Sequence, residues 1–391
     1  MQGDTSVIIA IPVLLIGGTE IQTLHLVRVL FEAGYSVKVC CYYEYDPEMV
    51  KRFEAAGAKV HLMKYERAKG LWHLAKGLIQ QFKRMKPDIV HVQYVAPGFV
   101  PVLAARLAGI KTIFATVHQP GRVYGWKEKL LLRTAAKLCT AFFCVSKAAE
   151  ESWFGSSELF DPTSSDRKRK HFTIYNSVDT ELITKAAQSA DRDGLRKSLN
   201  VTSKKIIGFV GRMRWEKGLD ILIDALPPIL MVHPTAVLLV VGDGPDKEGL
   251  RLRAKGLGLE NNIVWLGQKS PEEVNMLYSI MNVVAVPSLF EGFGLTAVEA
   301  MAAGVPVVAT RVDGLSEVVH DGVSGYLVES GNAQKLAQAL INLLSNSEKA
   351  AKMGQEGYRR VSEKFSLGRF SDSVTAAYKT FGSLMPLITE V

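Results

Sequence analysis

The chain has 391 residues, of which 48% are hydrophobic and 22% are charged, and its formal net charge is +8. This composition excludes a disordered or low-complexity protein, because it provides enough apolar surface for a core, and the length favours two domains. The 4 cysteines form no Cys-x-x-Cys pair, which predicts free thiols in a reducing compartment. The charge is uneven, since residues 51–150 contain 18 Lys and Arg against 5 Asp and Glu.

This basic excess suits an anionic partner such as a phospholipid surface, a lipid-linked phosphate or a nucleic acid, although solvated helix faces give the same composition. The early apolar run Val7–Ile16 is broken by Pro12 and is too short to span a bilayer. It also lacks the basic residues and the cleavage site of a signal peptide. These features predict a cytoplasmic protein, or one that is at most peripheral on the cytoplasmic membrane face.

Short apolar segments alternate with amphipathic segments over the first 150 residues. The short segments predict strands at Val7–Leu15, Ser36–Cys41, Lys59–Met63, Ile89–Val92, Thr112–Val117 and Ala141–Val145. The longer segments predict helices at Glu20–Ala33, Pro47–Ala56, Leu71–Lys86, Val100–Ala108 and Lys127–Leu138. Strands that alternate with helices favour a doubly wound parallel sheet, and hence a Rossmann-like domain.

A second alternation follows a strand-like segment, His171–Tyr175, and a charged helical stretch, Asn176–Asn200. Its strands are predicted at Lys205–Val210, Ala236–Val241, Ile263–Leu266, Val283–Val286, Val305–Ala309 and Gly325–Val328. The sequence therefore predicts an α/β fold of two facing Rossmann-like domains with a cleft between them. We expect the N-terminal domain at residues 1–178 and the C-terminal domain at residues 179–370.

The segment EGFGLTAVE, which runs from Glu291 to Glu299, lies between a predicted strand and a predicted helix. Its two glycines permit a sharp turn, and the free amide groups of residues 293–295 would form an anion site at the helix start. The two carboxylates suit a polyhydroxylated ligand, because a carboxylate can accept from two adjacent hydroxyl groups. The alternative is that Glu291 only caps the helix and that Glu299 is solvated.

The segment GRMRWEKG, residues 211–218, also lies between a predicted strand and a predicted helix. Arg212 and Lys217 can converge on one point, where two cations would neutralise a diphosphate and stabilise its departure. Arg214 and Glu216 are expected to form a surface pair. A basic surface loop is the alternative interpretation of the whole segment.

The first predicted strand-to-helix turn contains Gly17 and Gly18, which let the backbone approach a ligand phosphate. It does not match the Gly-x-Gly-x-x-Gly dinucleotide fingerprint. The pair Asp191 and Asp193 has the spacing of a carboxylate clamp for Mg or Mn, but its polar surroundings favour a turn or a helix cap. We therefore predict no metal site.

Taken together, the motifs resemble glycosyltransferase family 4, a family of retaining enzymes with the GT-B fold. The resemblance rests on GGTEIQTLHLVRVLFEAGYSV, GRMRWEKG, VGDGP, EGFGLTAVE and AMAAGVPVVAT, which occur in the order of the family over nearly the whole chain. It implies that the N-terminal domain binds the acceptor and that the C-terminal domain binds the nucleotide-sugar donor. It also implies that a C-terminal helix, within residues 371–391, returns to the N-terminal domain.

The resemblance assigns roles to individual residues. Arg212 and Lys217 match the pair that binds the donor diphosphate, and Glu299 matches the residue that holds the ribose hydroxyl groups. His118 matches a histidine at the reaction centre. The other donor contacts are expected at Gly17, Gly18, Gln268, Lys269, Glu291, Phe293, Gly294 and Leu295. The residues predicted to be catalytic are His118, Arg212, Lys217 and Glu291.

Two positions depart from the pattern of the family. Ser177 stands where Gly is common, and Asp313 replaces the first of two glycines. We expect neither residue to touch the catalytic groups.

The sequence thus predicts a retaining, metal-independent glycosyltransferase. Its co-substrate would be a UDP- or GDP-sugar, no other cofactor is expected, and the acceptor would be a lipid-linked sugar or a cell-surface glycan precursor. The resemblance implies front-face transfer, in which the leaving phosphate takes the proton of the acceptor. A non-catalytic sugar-nucleotide-binding subunit is the main alternative. A sugar-nucleotide epimerase and a nucleic-acid-binding protein fit the motifs less well.

The segment from Tyr65 to Lys86 is basic and amphipathic, and residues 123–138 add further aromatic and basic side chains. Such helices suit docking on an anionic membrane. A helix that packs its apolar face on the core and solvates its basic face would have the same pattern.

Overall fold

The computed structural model describes residues 5–94, 99–163, 168–202 and 204–382. The chain forms two compact units, Met1–Asn176 with Gly368–Val391 and Ser177–Leu367. Each unit is built on one sheet whose paired strands are all parallel. The predicted fold class, two Rossmann-like α/β units, is confirmed.

The first unit has a seven-stranded sheet in the order β3-β2-β1-β4-β5-β6-β7. Its strands are β1 Ser6–Ile11, β2 Ser36–Cys41, β3 Lys59–Leu62, β4 Ile89–Tyr94, β5 Thr112–Val117, β6 Ala141–Cys144 and β7 His171–Thr173. Its helices are α1 Gly18–Glu32, α2 Pro47–Ala55, α3 Gly70–Met85, α4 Phe99–Leu107, α5 Trp126–Leu138 and α6 Lys147–Phe154. The last described helix of the chain, α16 Leu367–Gly382, belongs to this unit from Gly368 onward.

The second unit has a six-stranded sheet in the order β10-β9-β8-β11-β12-β13. Its strands are β8 Ile206–Val210, β9 Val237–Val241, β10 Ile263–Gly267, β11 Val283–Val286, β12 Val307–Thr310 and β13 Gly325–Val328. Its helices are α7 Thr180–Ser189, α8 Arg192–Ser198, α9 Leu219–Val232, α10 Lys247–Gly256, α11 Pro271–Tyr278, α12 Leu295–Ala302, α13 Leu315–Val318, α14 Ala333–Ser345 and α15 Ser347–Lys364.

The bounds of two predicted elements differ from those in the structure. β1 ends at Ile11 rather than at Leu15, because Pro12 has no amide hydrogen for the ladder, and Leu14 forms only an isolated bridge with Tyr45. The charged helical stretch Asn176–Asn200 contains two helices, α7 and α8, and Asp191 is the N-cap of the second.

The four cysteines are free thiols, and all four are buried. Within the described ranges, we find no helix that combines the length and the apolarity needed to cross a bilayer.

Candidate donor-binding site

The second sheet reverses its winding between β8 and β11. Strands β9 and β10 lie on one side of β8, and β11, β12 and β13 lie on the other. In doubly wound sheets, ligands bind outside the carboxyl ends of the strands at such a switch point. The loop after β8 contains Lys217, and the loop after β11 contains Glu291, so both residues follow the strands that flank the switch point.

Close backbone contacts hold these loops together. Gly218 has a φ of 65°, and a Cβ atom on it would overlap the carbonyl oxygen of Pro287. A Cβ atom on Gly242 would likewise overlap the carbonyl oxygen of Gly211. Glycine is therefore required at two positions where the loops after β8, β9 and β11 approach one another.

Lys217 and Glu291 form an ion pair across the switch point. The Nζ atom of Lys217 lies 2.6 Å from Oε2 of Glu291, and Ser288 Oγ donates to the same oxygen at 3.2 Å. The Lys217 and Glu291 side chains are only 27% and 17% exposed, so the pair is partly shielded from solvent. Glu291 does not cap α12, because the N-cap of that helix is Gly294, which has a φ of 103°.

The backbone of Glu291 is fixed by the loop after β12. Its amide donates to Oδ2 of Asp313 at 3.1 Å, and its carbonyl oxygen accepts from the amide of Gly314 at 3.2 Å. The expectation that Asp313 does not touch the predicted catalytic groups is therefore wrong. The replacement of a family glycine by Asp313 was a sequence signal for this contact. Its meaning depends on the pairing of β11 with β12, which brings the loops after these two strands together.

Glu299 lies one turn inside α12 and is partly buried rather than solvated. Its Oε2 atom accepts from the hydroxyl group of Tyr278 at 3.0 Å, and Tyr278 is itself fully buried. Burial raises the pKa of Glu299 to about 7, while the Tyr278 hydrogen bond opposes this shift. Sequence reasoning did not identify Tyr278, because nothing in its local motif points to a residue 21 positions away.

The other predicted donor contacts of the second unit lie on loops at the same edge of its sheet, and none of them forms an ion pair with Lys217 or Glu291. Arg212 is exposed and forms no ion pair with any other described residue. Lys269 binds Glu273 at 2.9 Å, and Gln268 precedes it in the loop after β10. Phe293 is buried with its ring 5.3 Å from that of Phe365.

Helix α12 begins at Leu295, within the helix start predicted at residues 293–295. The first amide groups of a helix have no acceptor within the helix and can bind an anion there. The hydroxyl group of Thr296 donates to the carbonyl oxygen of Val210 at 3.2 Å, which ties this helix start to the end of β8. The helix start and the Lys217 loop are therefore held on the same edge of the sheet.

The remaining loop residues of this region form local pairs. Arg214 contacts Glu216 at 3.0 Å, but the Glu216 side chain is only 13% exposed, so the predicted surface pair is largely buried on one side. Asp191 accepts from the amide of Gly194 at 2.9 Å and caps α8, which agrees with the predicted helix cap. Among the described residues, no cluster of three His, Cys, Asp or Glu side chains could hold a metal ion.

Three predicted site residues belong to the first unit. Gly17 is the N-cap of α1, and Gly18 is the first residue of that helix. His118 follows β5, and its Nε2 atom lies 2.8 Å from Oε1 of Gln93. Burial lowers the pKa of His118 to about 4, so its imidazole is neutral at pH 7.

Two family descriptions match the chain. "Glycosyltransferase Family 4" matches residues 16–182, and "Glycosyl transferases group 1" matches residues 191–360. The chain is similar to a D-inositol 3-phosphate glycosyltransferase of Segniliparus rotundus, with 33% identity over 56% of this chain and 52% of that protein. It is also 30% identical to an uncharacterized glycosyltransferase of Methanocaldococcus jannaschii, over 75% of each chain. The chain spans about half the length of the first of these relatives.

The fold resembles that of Anabaena HepE, whose crystal structure was solved in complex with UDP-glucose. The TM-score is 0.79 at 22% identity, and the match covers 96% of this chain and 99% of HepE. This likeness concerns the fold and agrees with the predicted GT-B class. The family descriptions and the relative that matches over three quarters of both chains lead to one conclusion: the chain belongs to glycosyltransferase family 4.

Proposed function

We propose that the protein is a retaining, metal-independent glycosyltransferase that uses a nucleotide-diphosphate sugar as donor. The observation that carries this proposal is the Lys217–Glu291 ion pair at the switch point of the second sheet. It brings a cation suited to phosphate and a carboxylate suited to sugar hydroxyl groups to one place, on the same sheet edge as the start of α12.

Donor binding would rearrange this pair. The diphosphate would take the ammonium group of Lys217 and the exposed guanidinium group of Arg212, and Glu291 would then accept from hydroxyl groups of the sugar. The carboxylate of Glu299, which already accepts from Tyr278, has a second oxygen for the ribose. Two cations in a partly shielded site can stabilise the departing diphosphate without a divalent ion.

The transfer itself would follow a front-face course. The bond between the anomeric carbon and the donor phosphate oxygen breaks, and the acceptor oxygen forms its bond on the same face of the sugar. The departing phosphate oxygen takes the proton of the acceptor hydroxyl group, so no protein side chain has to act as the nucleophile. His118 of the first unit is the residue proposed to act near the reacting sugar.

The comparisons support UDP-sugar as the first donor to test, because HepE was solved with UDP-glucose and the likeness covers nearly the whole chain. The acceptor is proposed to be a hydroxyl group of a glycan or of a lipid-linked sugar.

The first test measures thermal unfolding with EDTA present, across UDP, GDP, ADP and their sugar conjugates. A ligand at about 100 times its dissociation constant stabilises the folded state by roughly 2.7 kcal/mol, which is a clear shift. We expect a shift with UDP or GDP compounds that persists in EDTA. A shift that requires Mg or Mn would overturn metal independence, and the absence of any shift would count against a sugar-nucleotide site.

The second test measures sugar transfer by the purified chain alone. Transfer that is lost in Glu291→Ala, while UDP still stabilises the variant, would support catalysis by this chain. Binding without transfer in the wild type would favour the alternative, a non-catalytic subunit that presents the donor to another enzyme.

We also propose that the first unit docks on an anionic membrane at the cytoplasmic face. Helix α3 buries Leu74, Leu78 and Phe82 in the core, so its apolar stripe is not available to lipid. However, Trp72 in the N-terminal turn of α3 is 90% exposed, and Trp126 in the N-terminal turn of α5 is 71% exposed. Both helices begin at the carboxyl edge of the first sheet, because each follows the end of a parallel strand.

Exposed tryptophans beside basic residues are typical of membrane-interface contacts. Lys69 precedes Trp72, and Lys127 and Lys129 follow Trp126, so cationic side chains accompany both indole rings. A lipid-linked acceptor would then be presented at the same edge of the first sheet as His118, which follows β5.

Co-sedimentation with vesicles tests this docking. We expect binding to vesicles that contain phosphatidylglycerol, weak binding to pure phosphatidylcholine, and loss of binding in the double variant Trp72→Ser with Trp126→Ser. The control is Leu252→Ser, which removes a side chain that is 69% exposed in the second unit. Equal binding by the double variant and the control would overturn the proposal.

A further inference from the structure

A small cavity lies in the first unit between the sheet and two of its helices. Its volume is about 30 Å³, and it is lined by side chains of β4, of β5 and the residue after it, of β6, of the segment after β7, of α1 and of α16. Its polar lining includes His91, Gln93, Thr116, His118 and Tyr378.

The strand register places four of these side chains on one face of the sheet. Gln93 of β4 is paired with Thr116 of β5. Because side chains alternate along a strand, His91 projects on the same side as Gln93, and His118 on the same side as Thr116. The opposite face carries the apolar core residues Val90, Val92, Ile113, Ala115 and Val117.

The two histidines differ in how many hydrogen bonds they make. Both ring nitrogens of His91 are occupied, since Nδ1 lies 2.7 Å from the hydroxyl group of Tyr378 and Nε2 lies 2.7 Å from that of Thr116. His118 makes one such bond, from Nε2 to Oε1 of Gln93. Its Nδ1 atom is buried and has no partner among the described residues, and the same holds for Nε2 of Gln93.

The orientation of the Gln93 amide indicates the proton of His118. The Gln93 oxygen faces His118 Nε2, and because an amide oxygen can only accept a hydrogen bond, Nε2 carries the hydrogen in this arrangement. A neutral imidazole has one such hydrogen, and Nδ1 is then left with a free lone pair. The loop after β5, which contains His118, is held in place because the indole nitrogen of Trp153 donates to the carbonyl oxygen of Gln119 at 2.7 Å.

We propose that Gln93 is a positioning residue that holds His118 as the Nε2-protonated tautomer and thereby leaves the lone pair of Nδ1 as its free acceptor. The proposal rests on the proposed function, in which His118 acts near the reacting sugar. Gln93 does not touch substrate, and it acts only through the orientation and tautomer of the imidazole. A hydroxyl group is the chemical class of ligand from which Nδ1 would accept a hydrogen bond once substrate binding uncovers the ring.

The test uses two-bond nitrogen–proton NMR spectra of the full chain labelled with ¹⁵N-histidine, which distinguish the two tautomers. His118 is assigned as the signal that disappears in His118→Asn. In the wild type, we expect hydrogen on Nε2. In Gln93→Leu, we expect both tautomers, whereas Gln93→Glu keeps an acceptor at this position and should retain the Nε2 tautomer with a higher pKa for His118. Thr116→Val is the matched control, because it removes a partner of His91 and leaves the Gln93 contact intact.

A wild-type His118 with hydrogen on Nδ1 would overturn the proposal, and so would an unchanged tautomer in Gln93→Leu. If Gln93→Leu does not fold, Gln93→Glu still tests the contact, since an unchanged His118 titration in that variant would contradict it. In transfer assays, we expect Gln93→Leu to lower kcat roughly tenfold with little change in the KM for donor, as expected for the loss of one oriented hydrogen bond. The NMR result stands apart from turnover, so a chain that transfers no sugar but shows the expected tautomers would contradict the proposed function and not the role of Gln93.

Discussion

Lys217 Nζ and Glu291 Oε2 lie 2.6 Å apart although 74 positions separate the two residues in the chain. The contact exists because β8 and β11 are neighbours in the sheet, which brings the loops at their carboxyl ends together. The pair therefore results from the doubly wound topology and not from any local motif.

The first prediction concerns this pair. We expect Lys217→Ala to weaken UDP binding by roughly tenfold to a hundredfold, because hydrogen bonds to a charged group contribute about 1.5–3 kcal/mol and Glu291 would also be left without its cation. Lys217→Arg should retain most of the affinity. The measurement is calorimetric titration with UDP. The control is Lys335→Ala, whose partner Glu329 is equally exposed on the surface, at 62% for each side chain; a similar loss in the control would contradict a specific role for Lys217.

The second prediction concerns Glu299 and stability. Between its ordinary pKa of 4.5 and its folded-state pKa of about 7, the folded protein holds a proton that the unfolded chain has released. Stability therefore falls as pH rises through this window and then levels off. Glu299→Gln lacks this titration, so its free energy of unfolding should rise relative to wild type by on the order of 2 kcal/mol between pH 4.5 and 7. Thermal unfolding from pH 4.5 to 8 measures the difference, and parallel curves for the two proteins would contradict it.

The third prediction concerns the same carboxyl group and donor binding. If the ionised form of Glu299 accepts from the ribose, affinity for UDP should increase roughly tenfold per pH unit below about pH 7 and become constant above it. Tyr278→Phe removes the hydrogen bond that opposes the shift, so the midpoint should move to higher pH. Titrations at pH 6, 7 and 8 test both proteins. Glu299→Gln should bind weakly with no such dependence, and a pH-dependent Glu299→Gln would place the titrating group elsewhere.

The sequence predicts the elements of this fold well, because hydrophobic periodicity is a local signal. The strands Ser36–Cys41 and Thr112–Val117 agree with the structure to the residue. Periodicity fails where apolar residues continue without a ladder partner, as at the end of β1. A hydrophobic run reports burial, whereas a strand needs a neighbour with which to exchange hydrogen bonds.

The side-chain contacts of the predicted site residues are harder to predict, because they depend on which elements are neighbours and not on local periodicity. Tyr278 with Glu299, Gln93 with His118 and Asp313 with Glu291 each join residues 21 to 25 positions apart in different elements. Identifying these pairs requires the order of the strands and the helices that flank them. Motif spacing indicates which side chains can do chemistry, but it does not indicate which side chains orient them.

The fourth prediction concerns Asp313, which has a φ of 32°, in the left-handed region that favours glycine. Its carboxylate accepts from the amide of Glu291, so the strained backbone is accompanied by a hydrogen bond to a predicted catalytic residue. Asp313→Gly removes the hydrogen bond but relieves the backbone, whereas Asp313→Ala removes the hydrogen bond and retains the strain. We therefore expect the glycine variant to be more stable than the alanine variant by about 1 kcal/mol, the reverse of their usual order within regular structure.

Thermal unfolding of the two variants and of Asp313→Asn measures this order. The asparagine variant should lie near wild type, because asparagine tolerates the left-handed region and keeps an acceptor oxygen. A sugar-transfer assay distinguishes the effect of backbone strain from the effect of the lost hydrogen bond. The glycine and alanine variants both lack the acceptor for the Glu291 amide, so they should lose activity to a similar extent. If the glycine variant were fully active, the Asp313 hydrogen bond would not position Glu291, and the aspartate would act on the backbone of this loop alone.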